Sequence, residues 1–439
     1  MSAPRVTRRR FIQHSSALAA AAIAPPLRAA EKPSAEKLNL AVIGLAHRAA
    51  DDLKGVSSEN IVAICDVDTK NAAAARNQFP KAAFFTDFRK LYDAMEKRID
   101  AVVVATPDHT HFHAAYYAVR AGKHVYCEKP LCHTVREVRT LRDAAAKQKV
   151  VTQMGTQIHA EENYRRVVEL VRSGAIGTIN KVHVWITGRD LSCKLKGPTS
   201  VPDGFDWDLW LGPLPPRPLQ EVIHPNPQYR WPDFDWRWWW EFGGGLLADM
   251  ACHYMDLPYW ALELPPPTKV RATGKKTYQG DNDVPDILKV EYEHPAHNGK
   301  PAIQLTWYHG VNGPDLDGKV TIPGFRNGVL FEGDKGKLVA DYGKHRLLPE
   351  EHFKDSQPPP KTIPSSLGHH REWIEAVKGN GTTTCPFSYS GALTEAVLLG
   401  NVSYRCGEEL IWDAAKAQVT NTPKAAEFMA VEYRKGWEI

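Results

Sequence analysis

Leu38-Asn39-Leu40-Ala41-Val42-Ile43-Gly44 is an apolar run that stops at a glycine. The same pattern recurs downstream. Asn60-Ile61-Val62-Ala63-Ile64-Cys65-Asp66 ends in a carboxylate, and Asp100 to Pro107 is nearly all apolar. His124 to Cys127 and Val150 to Gly155 complete the series. Helix-like stretches lie between them, including 110–121 and 134–149. A strand buried on both faces reads as continuous apolar sequence, and strands alternating with helices form parallel sheets. The segment 37–155 is therefore expected to be an α/β, doubly wound dinucleotide-binding (Rossmann) domain.

The first strand runs into Gly44-Leu45-Ala46-His47-Arg48-Ala49. This is where a glycine-rich phosphate turn belongs, although Ala46 and Ala49 replace its second and third glycines. A helix starting here would still offer backbone N–H groups to a pyrophosphate. Asp66 follows at roughly the 20-residue spacing of a ribose-binding carboxylate. Such a group accepts from both adenosine-ribose hydroxyls and repels a 2′-phosphate, which favours NAD over NADP. Thr106 and Pro107 fall at the carboxyl edge of the third apolar run, where the ligand crevice of such sheets opens.

Beyond Gly155 the rhythm changes. A helix is expected over 161–173, then strands at 181–187, 268–278, 287–292, 302–308, 328–332 and 337–342. Helices come only near 246–262, 372–378 and 391–404, and the Pro-rich stretch 347–364 reads as an exposed loop. Residues 156–439 are thus expected to form an α+β domain with an open, mainly antiparallel sheet.

The 439 residues suit two domains plus a leader. A net charge of +4, with no basic stripe carrying stacking aromatics, argues against a nucleic-acid partner. Thr7-Arg8-Arg9-Arg10-Phe11-Ile12-Gln13 fits the twin-arginine export pattern, and an Ala-rich apolar stretch and small-residue cleavage sites follow within 1–30. Export to the periplasm through the twin-arginine machinery is expected, with the cofactor collected before translocation and held tightly. Seven Cys at irregular spacings form neither a disulfide framework nor a Cys-x-x-Cys site, and read mostly as buried hydrophobes. No metal site is expected.

Two further motifs bear chemistry. Glu128-Lys129-Pro130 follows the fourth strand, and Gly243-Gly244-Gly245 leads into Asp249-x-x-x-His253. Asp249 and His253 lie four apart, on one helix face that Asp256 continues. An imidazole titrates near neutrality and can take an alcohol proton as hydride leaves. An ammonium can steady the developing alkoxide. The glycines would let backbone approach a ligand closely. Of Trp231, Trp236, Trp238, Trp239 and Trp240, at most two can face one way, as a platform for a sugar ring.

Taken together, the glycine turn, Thr106-Pro107-Asp108-His109-Thr110-His111, Glu-Lys-Pro and Asp-x-x-x-His resemble the glucose–fructose oxidoreductase / inositol dehydrogenase / rhizopine-catabolism (Gfo/Idh/MocA) family. Asp206 to Pro213 and Leu398 to Val402 look like its exported branch. The resemblance covers essentially everything after the leader; the two alanines in the turn depart from it. It implies that Lys129 lies by the nicotinamide and the reacting hydroxyl and that His253 serves as acid/base. Asp249 would hold substrate or imidazole. Gly44, Leu45, His47, Arg48, Asp66, Thr106, Pro107, His111 and Glu128 would serve the cofactor, with Glu128 fixing cofactor or Lys129. His111 could equally belong to a helix start capped by Thr110. The implied activity is an NAD(P)-dependent oxidoreductase acting on a carbohydrate or polyol, and a homo-oligomer is expected by resemblance. Two other functions fit the same residues: a glycoside-cleaving enzyme that oxidises a ring hydroxyl transiently with NAD, and a non-catalytic sugar sensor.

Overall fold

The computed structural model describes residues 36–189, 191–224, 226, 231–310 and 322–439. The twin-arginine motif and the expected signal segment 1–30 lie outside the described residues.

The N-terminal domain alternates as expected. Its elements are β1 (Asn39–Ile43), α1 (Arg48–Val56), β2 (Asn60–Cys65), α2 (Ala73–Gln78), β3 (Ala83–Phe85) and α3 (Phe88–Met95). They continue with β4 (Ala101–Val104), α4 (Asp108–Arg120), β5 (His124–Cys127), α5 (Val135–Gln148) and β6 (Thr152–Met154). The strands form one parallel sheet in the order β3-β2-β1-β4-β5-β6. Side chains alternate across it: Leu40 and Val42 enter one core, Ala41 and Ile43 the other. Order reverses between β1 and β4, so the crevice opens beyond their carboxyl ends.

After α6 (Glu162–Arg172) the chain builds β7 (Ile179–Ile186), the ribbon β8 (Lys194–Pro198) and β9 (Gln220–Ile223), and the short α7 (Trp207–Leu211) between them. Next come α8 (Gly245–Tyr254), α9 (Asp256–Leu262), β10 (Lys269–Lys275), β11 (Ile287–His294), β12 (Ile303–His309), β13 (Gly328–Gly333), β14 (Gly336–Ala340) and β15 (His345–Leu348). The chain ends through α10 (Glu350–Phe353), α11 (His369–Val377), α12 (Phe387–Cys406), β16 (Leu410–Asp413) and β17 (Gln418–Val419). The large sheet runs β15-β14-β13-β7-β12-β11-β10-β16-β17 and is antiparallel except where β7 pairs with β12. The expected helix over 246–262 is two helices, broken at Met255.

The C-terminal half returns to the first domain at several points, two of which complete its walls. Trp373 and Ile374 of α11 enter the core with Leu40, Val42 and Tyr126, and Lys378 pairs with Glu59 at 2.9 Å, both buried. Near the chain end, Trp437 lies under Arg89, 4.2 Å from guanidinium to ring, and its carbonyl meets His113 Nε2 at 3.0 Å. Among the described residues no helix is long and apolar enough to cross a membrane.

Candidate active site

A cleft of about 340 Å³ opens at the carboxyl edge of the parallel sheet. All twelve residues singled out above line it: Gly44, Leu45, His47, Arg48, Asp66, Thr106, Pro107, His111, Glu128, Lys129, Asp249 and His253.

Its nucleotide end is built by the β1–α1 turn. Gly44 sits at φ +88°, and a Cβ there would stand 2.5 Å from the Ala105 carbonyl oxygen, so only glycine lets this turn lie against the end of β4. Leu45 N–H donates to Asp66 at 2.9 Å, and Asp68 N–H to its other oxygen at 2.9 Å. Burial lifts the Asp66 carboxyl to about 6 despite these donors. His47, the residue before α1, holds a left-handed φ of 52° and offers no side-chain cap. The first N–H groups of α1 therefore lack a capping side chain and suit an anionic group.

Beneath this turn lies a carboxyl pair. Glu128 accepts from Gln157 Nε2 at 2.5 Å and from Lys129 N at 3.3 Å, while Asp52 meets His370 Nε2 at 2.8 Å. Arg48 stands 3.5 Å from Asp52 and 3.9 Å from Glu128. Burial pushes Asp52 up to about 7, and burial together with the Asp52 charge pushes Glu128 to about 8.

Charge concentrates at the other end. Lys129 Nζ donates to the Asp249 carboxylate at 2.9 Å and to its backbone carbonyl at 2.6 Å. Arg237 Nε reaches the same carboxylate at 3.3 Å and Arg189 stands 3.6 Å away. Although burial opposes it, the three cations hold the Asp249 carboxyl well below the usual carboxylate range. His253 lines the same cleft but makes no ring hydrogen bond among the described residues; its neighbour is Tyr342, ring to ring at 6.5 Å. Burial, then the Lys129 ammonium, lowers its imidazole to about 3.

Several expectations need correction. Asp249 binds the lysine ammonium rather than the imidazole. His253 is half-buried beside a cation, and burial and then the Lys129 ammonium hold its imidazole below the near-neutral range expected of it. Both His111 nitrogens face carbonyl oxygens, Pro130 at 2.9 Å and Thr106 at 2.7 Å, so this buried ring ties the loop after β4 to the loop after β5. Nor does Thr110 cap α4: its hydroxyl turns to Thr106 and Pro107. Asp256 does not continue the catalytic row, since the break at Met255 turns it to His159 at 2.9 Å and Tyr389 at 2.7 Å. Gly243 serves protein packing rather than a ligand, as a Cβ would meet the Arg237 backbone at 2.8 Å. Of the five tryptophans named above, Trp236 lines the cleft; Trp210 joins it from α7.

Sequence reasoning missed Asp108 and Arg237. Asp108 begins α4 and lines the cleft, and burial raises its carboxyl to about 8 against the pull of Lys129 and Arg237. It stood within the quoted Thr-Pro-Asp-His motif. Arg237, hidden in the tryptophan run, stacks between Phe234 and Trp236, 4.3 Å from each ring.

Comparison with known proteins matches both parts of the chain. Residues 38–156 match the oxidoreductase family with NAD-binding Rossmann fold, and residues 221–309 match the GFO/IDH/MocA C-terminal domain. The chain belongs to the GFO/IDH/MocA oxidoreductase family. Myo-inositol 2-dehydrogenase of Thermotoga maritima is 29% identical over 69% of this chain and 74% of its own. Inositol 2-dehydrogenase 2 of Saccharopolyspora erythraea is 33% identical over 33% of this chain and 44% of its own. The first curated relatives are matched over about half their length. Among solved structures, the WlbA dehydrogenase of Bordetella pertussis in complex with NADH and UDP-GlcNAcA has the same fold, with TM-score 0.60 and 17% identity over 86% of this chain and 99% of that one.

Proposed function

We propose that this chain is an oxidoreductase that moves hydride between a tightly held nicotinamide dinucleotide, NAD in preference to NADP, and a hydroxyl or carbonyl carbon of a carbohydrate or polyol. One observation carries the reading. Lys129, paired with Asp249 at 2.9 Å, lines with His253 the same cleft as the β1–α1 turn and Asp66.

The residues fit such a dinucleotide. The start of α1 has no capping side chain, and Asp66 offers remaining lone pairs to a ribose. When bound, the nicotinamide supplies the hydride acceptor or donor. Lys129, aimed by Asp249, places positive charge at the substrate oxygen. Neutral His253 has a lone pair for the hydroxyl proton. As the carbon gives up hydride its hydroxyl proton becomes more acidic, and His253 can take that proton while Lys129 stays beside the carbonyl oxygen that results. Trp210 and Trp236 are apolar walls for a sugar ring. The inositol dehydrogenase relatives and the sugar nucleotide held by WlbA support a polyhydroxylated substrate. The arginine pair Arg8-Arg9 supports export, and the open large sheet supports self-association.

Mass spectrometry of the ligand released on denaturation should identify NAD. Lys129→Ala should lower turnover roughly 10²–10⁴-fold while the dinucleotide stays bound; unchanged turnover would remove Lys129 from the reaction. Fractionation of cells expressing Arg8→Lys/Arg9→Lys protein should find it inside the inner membrane, with the native chain outside it.

A further inference from the structure

A second polar cluster lies beside the cleft. Asp233, Trp236 and Arg237 line the cleft, but Asp235 between them does not: it is fully buried, and among the described residues neither carboxylate oxygen has a hydrogen-bond partner. One ligand atom each from Asp235, Cys193 and His224 lies within 4.8 Å of the others, and all three residues are buried. An ionised carboxylate with no donors costs several kcal/mol to bury, roughly, unless a cation compensates it.

We infer that Cys193, His224 and Asp235 form a binding site for one zinc-like divalent cation, with water as the fourth ligand. A thiolate, an imidazole and a carboxylate make a borderline-soft set that suits Zn²⁺ in tetrahedral coordination. Two negative ligands balance the cation's charge, which removes the burial penalty. The neighbouring frame is built: Asn282 accepts from Cys193 N at 2.9 Å and donates to the Leu191 carbonyl at 2.8 Å. The contrast with His159, Asp256 and Cys385 is informative. That group is equally close, but Asp256 is satisfied by His159 and Tyr389 and needs no ion. The inferred metal would clamp three segments: His224 follows β9, Cys193 lies four residues after Arg189, and Asp235 lies two before Arg237, so both arginines that reach Asp249 would be anchored by it.

The test uses the full chain and reads metal rather than turnover, so it stands or falls apart from the proposed reaction. Protein grown with zinc should retain one equivalent by elemental mass spectrometry after extensive dialysis. Stripped by chelator and titrated with Co²⁺, it should show thiolate-to-cobalt charge-transfer absorption and release a proton from Cys193. Cys193→Ser should abolish that absorption, and Asp235→Asn should weaken Co²⁺ binding at least about tenfold. Background zinc with no cobalt band would overturn the inference. So would cobalt bands without a thiolate transition in the unaltered chain, a result that does not depend on any variant folding.

Discussion

Replacing Asp249 by Asn would leave Lys129, Arg237 and Arg189 around an uncharged amide. Removing one partner from a buried charge cluster costs about 3–5 kcal/mol. Asp249→Asn should therefore lower the melting temperature and cut kcat/KM at least ~100-fold by releasing Lys129; steady-state kinetics and thermal melts on the same sample check both. The buried acids set a pH dependence with a definite sign. Asp52 is raised to about 7, and Glu128 and Asp108 to about 8. Each binds a proton more tightly folded than unfolded, so its contribution is complete below the ordinary carboxyl range and is lost as pH rises through about 7 to 8. Ligand-free protein should melt progressively lower across that window, and Glu128→Gln should flatten the slope. A melting temperature that climbs through the window would refute the assignment. These charges were only partly legible in the sequence. Lys129, Asp249 and His253 stand in recognisable motifs, whereas Asp108 and Arg237 gain their place from packing between distant segments. Cys193, His224 and Asp235 are scattered over three separate segments with no periodic spacing to betray them.

At the scale of elements, Gly44 offers the sharpest test. Gly44→Ala forces a side chain into left-handed backbone and against the Ala105 carbonyl. The cost should be about 1–3 kcal/mol for the backbone alone. Dinucleotide affinity, measured by calorimetry, should fall with it as the turn moves off β4; wild-type stability and affinity would show that the turn tolerates the shift. The longer buried strands were readable because parallel strands covered on both faces must be apolar throughout, as Val102, Val103 and Val104 are. β3 escaped notice because Ala83–Phe85 is three residues long and only half-buried. At the two ends of the large sheet, β15 on one side and β16 and β17 on the other are also short, and their pairing is dictated by neighbours rather than by their own pattern. The break at Met255 left no trace in the apolar periodicity of 246–262, and it moved Asp256 from the cleft to buried hydrogen bonds with His159 and Tyr389.

For the whole molecule, one apolar core runs from the parallel sheet into the large sheet, joining Val104 and Val125 to Val184 and Leu305. The two halves should unfold together. Trp373, fully buried in the core of the first domain, tests this: Trp373→Ala should cost about 3–5 kcal/mol and shift a single transition, seen identically by calorimetry and by far-ultraviolet dichroism. Two separated transitions would mean that the halves are independent.

Because α11 and the Trp437 tail complete a domain that begins at Leu38, the earliest-made part of this protein is among the last to be finished. On the ribosome, the parallel sheet must wait with one flank uncovered until residues 373 and 374 emerge. The wedge beside Arg89 can close only after residue 437 has emerged as well. A tag fused after Ile439 would hang from a segment that is itself part of the first domain's wall.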